Sequence, residues 1–326
     1  MTAGQPDLSI IIVSWNTREL LRGCLASLAA TLPPLTAEII VVDNASSDGT
    51  AAMVAADFPA VRLIANPTNR GFAAANNQGL AVATGRDILY LNPDTAVLPG
   101  SIQQSLAYLH AHPGAGAVGV RLLNGDGSLQ PSWRRFYSFW GTLLDNKLTA
   151  RLLRRPQGSL LTGLPAEPTA VDWLIGAFLL VRRAALASIG GGFDERFFVF
   201  GEEIDLQYRL RRAGWTIVFL PEPAIVHYGG QSSRQVKVAA TLYDYRGRYL
   251  FVRKHYSWPS VALYWLKAQA GLALWWLLAL PPALLRADAG ARAALAAYGR
   301  ALRWHLGLLA RGQGAGCIPG AGPLDP

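Results

Sequence analysis

Asp94 is the residue of this sequence whose position best suits it to bind a metal ion. It lies in Asn92-Pro93-Asp94-Thr95, directly after the apolar run DILYL at residues 87–91. A carboxylate at the end of a buried strand could hold Mg²⁺ or Mn²⁺ together with the phosphates of a substrate. Asn, Pro and Asp are also favoured turn residues, so a plain turn is the alternative.

A second acidic motif, GEEIDL at residues 201–206, could supply a general base. It precedes a helical pattern, in which Asp205 can pair with Arg209 four residues later and Glu202 shares the face of Asp205. Glu203 points elsewhere, so it is the better candidate for a free base, and Asp205 for a structural ion pair. The alternative is that all three carboxylates only favour the first turn of a helix.

His227 could complete the metal site. It follows the apolar run TIVFLPEPAIV and precedes two glycines. A single histidine after a strand is often only a hydrogen-bonded structural residue, but imidazole suits Mn²⁺. The hypothesis therefore depends on His227 meeting Asp94 in the fold.

The elements that must position these residues alternate along the first third of the chain. Strands are predicted at 8–14, 38–43, 61–65 and 87–91, and helices at 18–30, 49–56, 72–83 and 99–110. Such alternation predicts an α/β fold, with a mostly parallel sheet and helices on both faces. Ligands of these sheets bind outside the carboxyl ends of the strands, where Ser14-Trp15-Asn16, Asp43-Asn44 and Asn92 would lie.

Two of these connections could bind a nucleotide. Asp43 could contact a nucleobase or ribose, and Asn69-Arg70-Gly71-Phe72 opens a helix, a favourable place for phosphate. A capped strand-to-helix connection and a capped helix with a polar face are the respective alternatives.

The rest of the chain is predicted with less detail. The sequence NGDG at 124–127 indicates a hairpin turn, and residues 171–181 indicate one buried strand. The cluster WRRFY at 133–137 is either a surface loop with its rings in the core or an acceptor-binding segment. After Tyr228 the pattern is helical to about Ala310, and a disordered tail is predicted for 313–326.

Composition restricts the partners and the compartment. The chain has 326 residues, a formal charge of +9 and only two cysteines, without metal-site spacing. An anionic partner and a reducing compartment fit these values. The first apolar segment, Leu8–Val13, is short and lacks a basic flank, so we expect no secretory signal and a cytoplasmic catalytic part.

Six motifs, in the same order, resemble those of family 2 glycosyltransferases and, within that family, the rhamnosyltransferase-like branch. The motifs are VSWN, VVDNASSDGT, NRGFAAANNQG, LYLNPDT, FFVFGEEIDLQYRLRRAGW and IVHYGG, and they span roughly Leu8 to Gly230. The resemblance implies a Rossmann-like GT-A fold and an inverting transfer from a nucleotide-diphosphate sugar to an acceptor hydroxyl.

The resemblance also implies a role for each motif. Asn92-Pro93-Asp94 takes the place of the family's DXD motif, with Asn92 where many relatives have Asp. Asp94 then binds Mg²⁺ or Mn²⁺, and His227 is a ligand of the metal or of the diphosphate. Glu203 takes the place of the catalytic Asp. Glu202, Asp205, Trp173 and Gly176 are assigned structural or acceptor-side roles. The donor-binding set is Ser14, Trp15, Asn16, Asp43, Asn44, Arg70, Gly71, Phe72, Asn76 and Asn92.

The C-terminal region suggests where the protein works. Residues 268–285 form an uncharged apolar run, interrupted by Pro281-Pro282, that is borderline for a membrane span. Several tryptophans occur there with basic residues, a mixture that suits a membrane interface, although an apolar helical cap or a dimer face is the alternative. The basic and aromatic residues concerned are Lys254, Trp258, Trp265, Lys267, Trp275, Trp276, Arg286, Arg303 and Trp304.

We therefore predict a glycosyltransferase domain at 1–232, a membrane-associating helical region at 233–312 and a tail at 313–326. The expected donor is dTDP-rhamnose and the expected acceptor is a glycan or lipid-linked saccharide, at the inner face of the cell membrane. An oligomer is possible. There are three alternatives. A nucleotidyltransferase should have a Gly-rich phosphate loop early in the chain, which this sequence lacks, and a nucleic-acid-binding protein is disfavoured because the basic residues are scattered. The third alternative is a catalytically silent membrane scaffold.

Overall fold

The computed structural model describes residues 5–136, 165–229, 237–285 and 289–310. Twelve strands and nine helices are found in these residues. The strands are β1 (Leu8–Ser14), β2 (Ala37–Asp43), β3 (Arg62–Ala65), β4 (Asp87–Leu91), β5 (Thr95–Val97), β6 (Ala115–Leu123), β7 (Leu129–Gln130), β8 (Trp133–Arg134), β9 (Thr169–Ala170), β10 (Trp173–Leu174), β11 (Phe178–Arg182) and β12 (Thr216–His227). The helices are α1 (Arg18–Thr31), α2 (Thr50–Asp57), α3 (Phe72–Val82), α4 (Ser101–Ala111), α5 (Arg183–Ser188), α6 (Glu202–Arg212), α7 (Lys237–His255), α8 (Trp258–Leu285) and α9 (Ala289–Ala310).

The main sheet has the order β3-β2-β1-β4-β11-β6-β12-β5. Strands β3, β2, β1 and β4 are parallel, whereas β11 runs antiparallel to β4 and β6. Each residue of β1 is buried, because a central strand of a sheet covered on both faces must be apolar on both faces. The chain reverses its direction of progress between β1 and β4, so the crevice expected for a ligand opens at their carboxyl ends.

Helices cover both faces of the sheet, as the sequence predicts. One core lies under α1, α2 and α4, and the other lies under α3, α5 and α6. In α1 the buried residues are Leu21, Cys24, Leu25 and Leu28, the spacing of an amphipathic helix. The predicted strands and helices of the first third are present, with their ends displaced by two residues or fewer.

The predicted strand at 171–181 is divided in the structure. Trp173 and Leu174 pair with β8 in a small separate sheet, and β11 begins at Phe178 in the main sheet. The chain must leave one sheet and enter the other, and Gly176 lies within that passage. The hairpin turn at 124–127 is confirmed, since Gly127 donates its N–H to the carbonyl of Asn124 between β6 and β7.

The C-terminal helices α7, α8 and α9 pack against one another, and α7 also contacts α6. A third apolar cluster joins them to the sheet domain, through residues such as Phe197, Ile204, Tyr249 and Phe251. Helix α8 continues through Pro281-Pro282, whose fixed φ is compatible with a helix although two N–H donors are lost. The predicted break at these prolines was therefore wrong.

Some predictions fall on residues or side chains that the structure does not describe. They include the tail at 313–326, the position of Arg286 and the side chain of Trp304. The domain boundary at 232 also falls there and stays a prediction.

Candidate active site

The predicted strand ends meet at one edge of the sheet. Ser14 and Asp43 are neighbours in the register of β1 and β2, and the N–H of Asn92, just past β4, donates to the carbonyl of Ala177. The side chain of Ser14 is buried and bonds to Thr17. Three polar connections that are distant in sequence therefore line one crevice.

Asp94 and His227 come together at this edge, as the metal hypothesis requires. The short strand β5 pairs with the end of β12, which places Thr95 opposite His227, and Tyr228 donates its N–H to the carbonyl of Asp94. Oδ1 of Asp94 lies 3.4 Å from Nε2 of His227, and both residues are largely buried.

The tautomer of His227 follows from Gln130. The amide nitrogen of Gln130 donates to the carbonyl of His227 at 2.6 Å and to Oδ1 of Asn124 at 2.7 Å, so its Oε1 must be an acceptor. That Oε1 lies 3.0 Å from Nδ1 of His227, which therefore carries a proton. In the neutral ring Nε2 is left as an acceptor, with Oδ1 of Asp94 3.4 Å away.

In this tautomer Oδ1 of Asp94 and Nε2 of His227 are both acceptors, so a cation between them would relieve their repulsion, while the amide nitrogen of Asn92, also 3.4 Å from Nε2, donates to the ring. A proton on Nε2 or a bound metal ion satisfies this arrangement, and a carboxylate oxygen with an imidazole nitrogen is a donor set that suits Mn²⁺. In the part of the chain that the structure describes, no group of three or more His, Cys, Asp or Glu side chains could hold a metal. The remaining ligands would have to come from substrate phosphates and water.

Asp43 has an unused acceptor inside the protein. Its Oδ2 accepts the N–H of Ser46 at 3.3 Å, but its buried Oδ1 has no partner among the described residues. An unpaired buried carboxylate oxygen is costly, so a ligand with N–H or O–H groups would stabilise this site. The prediction that Asp43 binds a nucleobase or ribose is compatible with this geometry.

Other predicted donor-binding residues already bond within the protein. The amide of Asn44 contacts Asn66, Asn69 and the backbone of residues 70 and 71, which uses its full capacity. Oδ1 of Asn16, a residue at φ 51°, accepts the N–H of Ser47. Trp15 is half-buried and the Arg70 side chain is exposed. Donor binding by Ser14, Trp15, Asn16, Asn44 and Arg70 remains a prediction, and Asn44 has a clear structural function.

The start of α3 is tied to the segment before α6. Gly71 has φ +85°, and a Cβ there would lie 2.6 Å from the carbonyl oxygen of Phe198, so only glycine fits. The same carbonyl accepts the N–H of Phe72 at 2.6 Å, and the buried Asn76 donates its side-chain N–H to the carbonyl of Phe72. These residues therefore shape the crevice, and their contact with a donor stays a prediction.

Glu203 lies at the amino end of α6, next to this crevice. A Cβ on Gly176 would be 3.5 Å from the Cβ of Glu203, and Gly176 precedes Ala177, whose carbonyl accepts the N–H of Asn92. Gly176 and Ala177, which are adjacent in the chain, therefore contact the predicted base and the predicted metal motif, respectively. Burial raises the pKa of Glu203, although it accepts the N–H of Gly201 at 3.0 Å.

The neighbouring carboxylates differ in their surroundings. Glu202 is buried with one oxygen unpartnered, and burial, together with the charge of Glu203, raises its pKa well above the ordinary value. Burial alone would raise the pKa of Asp205, but hydrogen bonds from His255 and Lys254 lower it overall. Asp205 also forms the predicted ion pair with Arg209, at 2.8 Å.

The aromatic segment at 133–136 packs into the core. Trp173 is buried and donates its Nε1–H to the carbonyl of Arg135, and the ring of Phe136 contacts those of Tyr208 and Phe251. These contacts agree with a loop that tucks its rings inward. Tyr137 lies outside the described residues.

Sequence reasoning missed Gln130 and the contacts that helix α7 makes beside the site. Gln130 fixes the His227 ring, and the hairpin signal at 124–127 could have drawn attention to it, because the hairpin brings β7 beside the end of β6. Helix α7 lies in the stretch that was predicted to be helical after Tyr228, but no sequence motif indicated its contacts with the site.

The parallel order β3-β2-β1-β4, continued by the antiparallel β11, places Asp94 and the acidic start of α6 beside one crevice, an arrangement compatible with a GT-A-type glycosyltransferase. Residues 9–189 match the family described as "Glycosyl transferase family 2", and the chain belongs to this family. It is 32% identical over 273 residues to the N-acetylglucosaminyl-diphospho-decaprenol L-rhamnosyltransferase of Mycobacterium tuberculosis, covering 79% of this chain and 88% of the relative. The predicted resemblance to the rhamnosyltransferase-like branch is thereby confirmed.

Two solved structures share the GT-A fold. A mannosyltransferase from Pyrobaculum calidifontis in complex with GDP-Man and Mn²⁺ matches with a TM-score of 0.51 and 19% identity, over 93% of this chain and 88% of that one. GalNAc-T7 with UDP, GalNAc and Mn²⁺ matches with a TM-score of 0.53 and 16% identity, over 78% of this chain and 53% of that one.

Proposed function

We propose that the protein is an inverting, metal-dependent glycosyltransferase that transfers L-rhamnose from dTDP-rhamnose to a hydroxyl of a lipid-linked saccharide. The observation that carries the proposal is the 3.4 Å distance between Oδ1 of Asp94 and Nε2 of His227. Asp43 offers an unpaired carboxylate oxygen in the same crevice, so one edge of the sheet has a place for a cation and a place for a nucleoside.

The donor set fits a divalent cation. Asp94 and His227 would hold Mn²⁺ or Mg²⁺, with the donor diphosphate supplying further oxygen ligands. The bound cation would stabilise the negative charge of the departing nucleotide diphosphate. The likeness to solved structures that contain Mn²⁺ supports this assignment for the family.

Glu203 is the proposed general base. In its ionised form the carboxylate accepts the proton of the acceptor hydroxyl while that oxygen attacks the anomeric carbon, and the bond from the anomeric carbon to the diphosphate breaks. The attack comes from the face opposite the leaving group, so the anomeric configuration inverts without a covalent sugar–enzyme intermediate. A pKa raised by burial makes Glu203 a stronger base than an exposed glutamate.

The choice of substrates follows the relative from M. tuberculosis, whose name specifies an L-rhamnosyl transfer to N-acetylglucosaminyl-diphospho-decaprenol. A lipid-linked acceptor also agrees with helix α8. By length and composition α8 is the one described helix that could cross a membrane, and 11% of its apolar window is buried. Trp258, Leu266, Leu277, Leu278 and Leu284 expose more than half of their surface. We propose that α8 lies on the cytoplasmic face of the cell membrane.

Asp94→Asn tests the metal site. We expect it to abolish most transfer and to weaken Mn²⁺-dependent binding of dTDP-rhamnose, measured by titration calorimetry, because the charge that holds the cation is removed. Asp57→Asn, which neutralises an exposed carboxylate at the end of α2, is the control and should bind and transfer normally. Normal binding and turnover in Asp94→Asn would exclude Asp94 from the metal site.

The donor is tested with a panel of nucleotide sugars and the wild-type protein. Binding of dTDP-rhamnose in preference to other sugars supports the proposed donor, and preference for another sugar refutes it. Absence of both donor hydrolysis and transfer in the presence of Mn²⁺ would favour a catalytically silent scaffold.

A further inference from the structure

Helix α7 approaches the amino end of α6 more closely than a side chain permits. A Cβ added at Gly247 of α7 would lie 2.0 Å from the carbonyl oxygen of Phe200 and 2.9 Å from its carbonyl carbon. In protein structures a Cβ atom essentially never lies within 3.0 Å of a non-bonded heavy atom. The two backbones therefore touch directly at this point.

The segment touched by Gly247 is the one that orients Glu203. Phe200 and Gly201 both have positive φ, 68° and 94°, and the N–H of Gly201 donates to Oε2 of Glu203 at 3.0 Å. Helix α6 begins at Glu202, directly after this hydrogen-bond donor, and Glu203 is its second residue. A displacement of the Phe200–Gly201 peptide therefore moves the donor that holds the Glu203 carboxylate.

A second contact of α7 lies one turn earlier on the same face. The ring of Tyr243 stacks on that of Phe198, with centroids 4.8 Å apart and planes 18° apart. Two contacts four residues apart in a helix fix both position and rotation of the segment 198–201.

Helix α7 is itself anchored to α6. Lys254 and His255 contact the buried carboxylate of Asp205, at 2.6 Å and 2.7 Å, and Phe251 is fully buried between the helices. Because these anchors lie near the end of α7, the helix cannot move away freely from Phe200. Burial raises the pKa of Glu203, and the charge of Asp244 on α7 adds to that rise, which agrees with the proximity of this helix to the carboxylate.

We propose that Gly247 is a positioning residue for the transfer reaction, which lets α7 clamp the Phe200–Gly201 peptide and thereby aim the Glu203 carboxylate at the acceptor hydroxyl. This inference rests on the proposed function of Glu203 as the base. It adds a helix outside the matched family region, residues 9–189, to the catalytic machinery.

Gly247→Ala tests the clamp. The new Cβ requires a displacement of about 1 Å, and a misplacement of this size costs on the order of 100-fold in turnover. We expect kcat to fall by about that factor while the affinity for dTDP-rhamnose stays within about 3-fold of wild type, since the new Cβ meets Phe200 and Gly201, whereas the donor-side Phe72 bonds to Phe198. Gly23→Ala is the matched control, because Gly23 is also helical and its Cβ would meet nothing within 4 Å.

A double variant separates this inference from the proposed function. If Gly247 acts through Glu203, Gly247→Ala/Glu203→Gln is no slower than Glu203→Gln alone. Multiplicative losses in the double variant, or normal kcat in Gly247→Ala, refute the clamp while Glu203 keeps its role. Normal kcat in Glu203→Gln refutes the base itself.

If Gly247→Ala does not fold, Tyr243→Leu answers the same question without adding atoms near the backbone. It should lower kcat in the folded protein, whereas Tyr243→Phe, which retains the stacked ring, should lower it much less. Equal kcat in Tyr243→Leu and wild type would overturn the proposal.

Discussion

The Asp205→Asn substitution should destabilise the protein while it leaves the proposed base, Glu203, in place. Asp205 is fully buried and has three partners: the cations of Arg209 and Lys254, and the ring of His255. Two of them belong to α7, so the carboxylate joins α6 to the helix that follows the sheet domain. Asparagine keeps one acceptor oxygen but removes the charge that these cations share.

The expected loss is about 3 kcal/mol in the free energy of unfolding. Breaking a buried ion pair by removing one partner typically costs about 3–5 kcal/mol, because the other charge stays buried. The low end applies here, since Arg209 and Lys254 are about one-fifth exposed and Lys254 retains Asp194 at 2.7 Å. With a denaturant slope of about 3 kcal/mol per M urea, the midpoint should fall by about 1 M.

The penalty should also depend on pH. The pKa of Asp205 is lowered overall, so its contribution to stability is present above the unfolded value of about 3.9 and is lost as the pH falls through the folded value. The difference between wild type and Asp205→Asn should therefore be complete near pH 7 and shrink below about pH 4.

Urea unfolding followed by tryptophan fluorescence measures this difference. Asp244→Asn is the matched control, because Asp244 and Arg248 have the same i,i+4 spacing on α7 but are exposed, and its cost should stay below about 0.5 kcal/mol. Equal costs for the two variants would refute the argument from burial. Loss of turnover in folded Asp205→Asn far beyond that in Glu203→Gln would identify Asp205 as the base.

Two further outcomes are expected. Glu203→Gln should retain dTDP-rhamnose binding and lose about 10²–10⁴-fold in kcat. In the wild type, kcat/KM should fall on the acid side with an apparent pKa above the ordinary glutamate pKa of about 4.3, because the base must be ionised and burial raises the pKa of Glu203. An apparent pKa at or below about 4.3 contradicts the assignment. Removing Tyr256–Pro326 should release the protein from lipid vesicles in flotation assays while nucleotide binding persists, since the proposed donor residues precede that segment. A full-length protein that never floats contradicts membrane association, and a folded truncation that cannot bind nucleotide shows that α8 or α9 belongs to the site.

Much of the sheet domain could be predicted from local patterns. Strands such as LSIIIVS are buried on both faces, so they form continuous apolar runs, and helices such as α1 repeat their apolar residues every three or four positions. Placing Ser14, Asp43 and Asn92 together needed only the rule that parallel strands share a carboxyl edge. Periodicity and topology were sufficient for this part of the site.

The contacts that hold the site in place could not be predicted. Gln130 reaches His227 across 97 positions, and Gly247 touches Phe200 across a gap that includes β12. Neither contact repeats with a helix or strand period, and glycine and glutamine are common in ordinary surface positions. Long-range contacts of this kind depend on how whole elements dock, which local sequence does not encode.

The same long-range contacts explain how this chain can depart from the family's DXD pattern. Because Gln130 leaves Nε2 of His227 as an acceptor, the amide nitrogen of Asn92, 3.4 Å away, faces it as a donor. An aspartate at position 92 would instead add a second carboxylate beside Asp94 and the lone pair, and that cluster would require a cation for its stability. With asparagine, one carboxylate remains and the neutral amide restrains the imidazole ring. The carboxylate charge at the proposed metal site is thus half that of a site with two aspartates, whereas protein contacts alone hold Asp94 and His227 in place. If the site binds a metal, we expect the donor diphosphate to contribute a larger share of the binding energy than it would beside two aspartates.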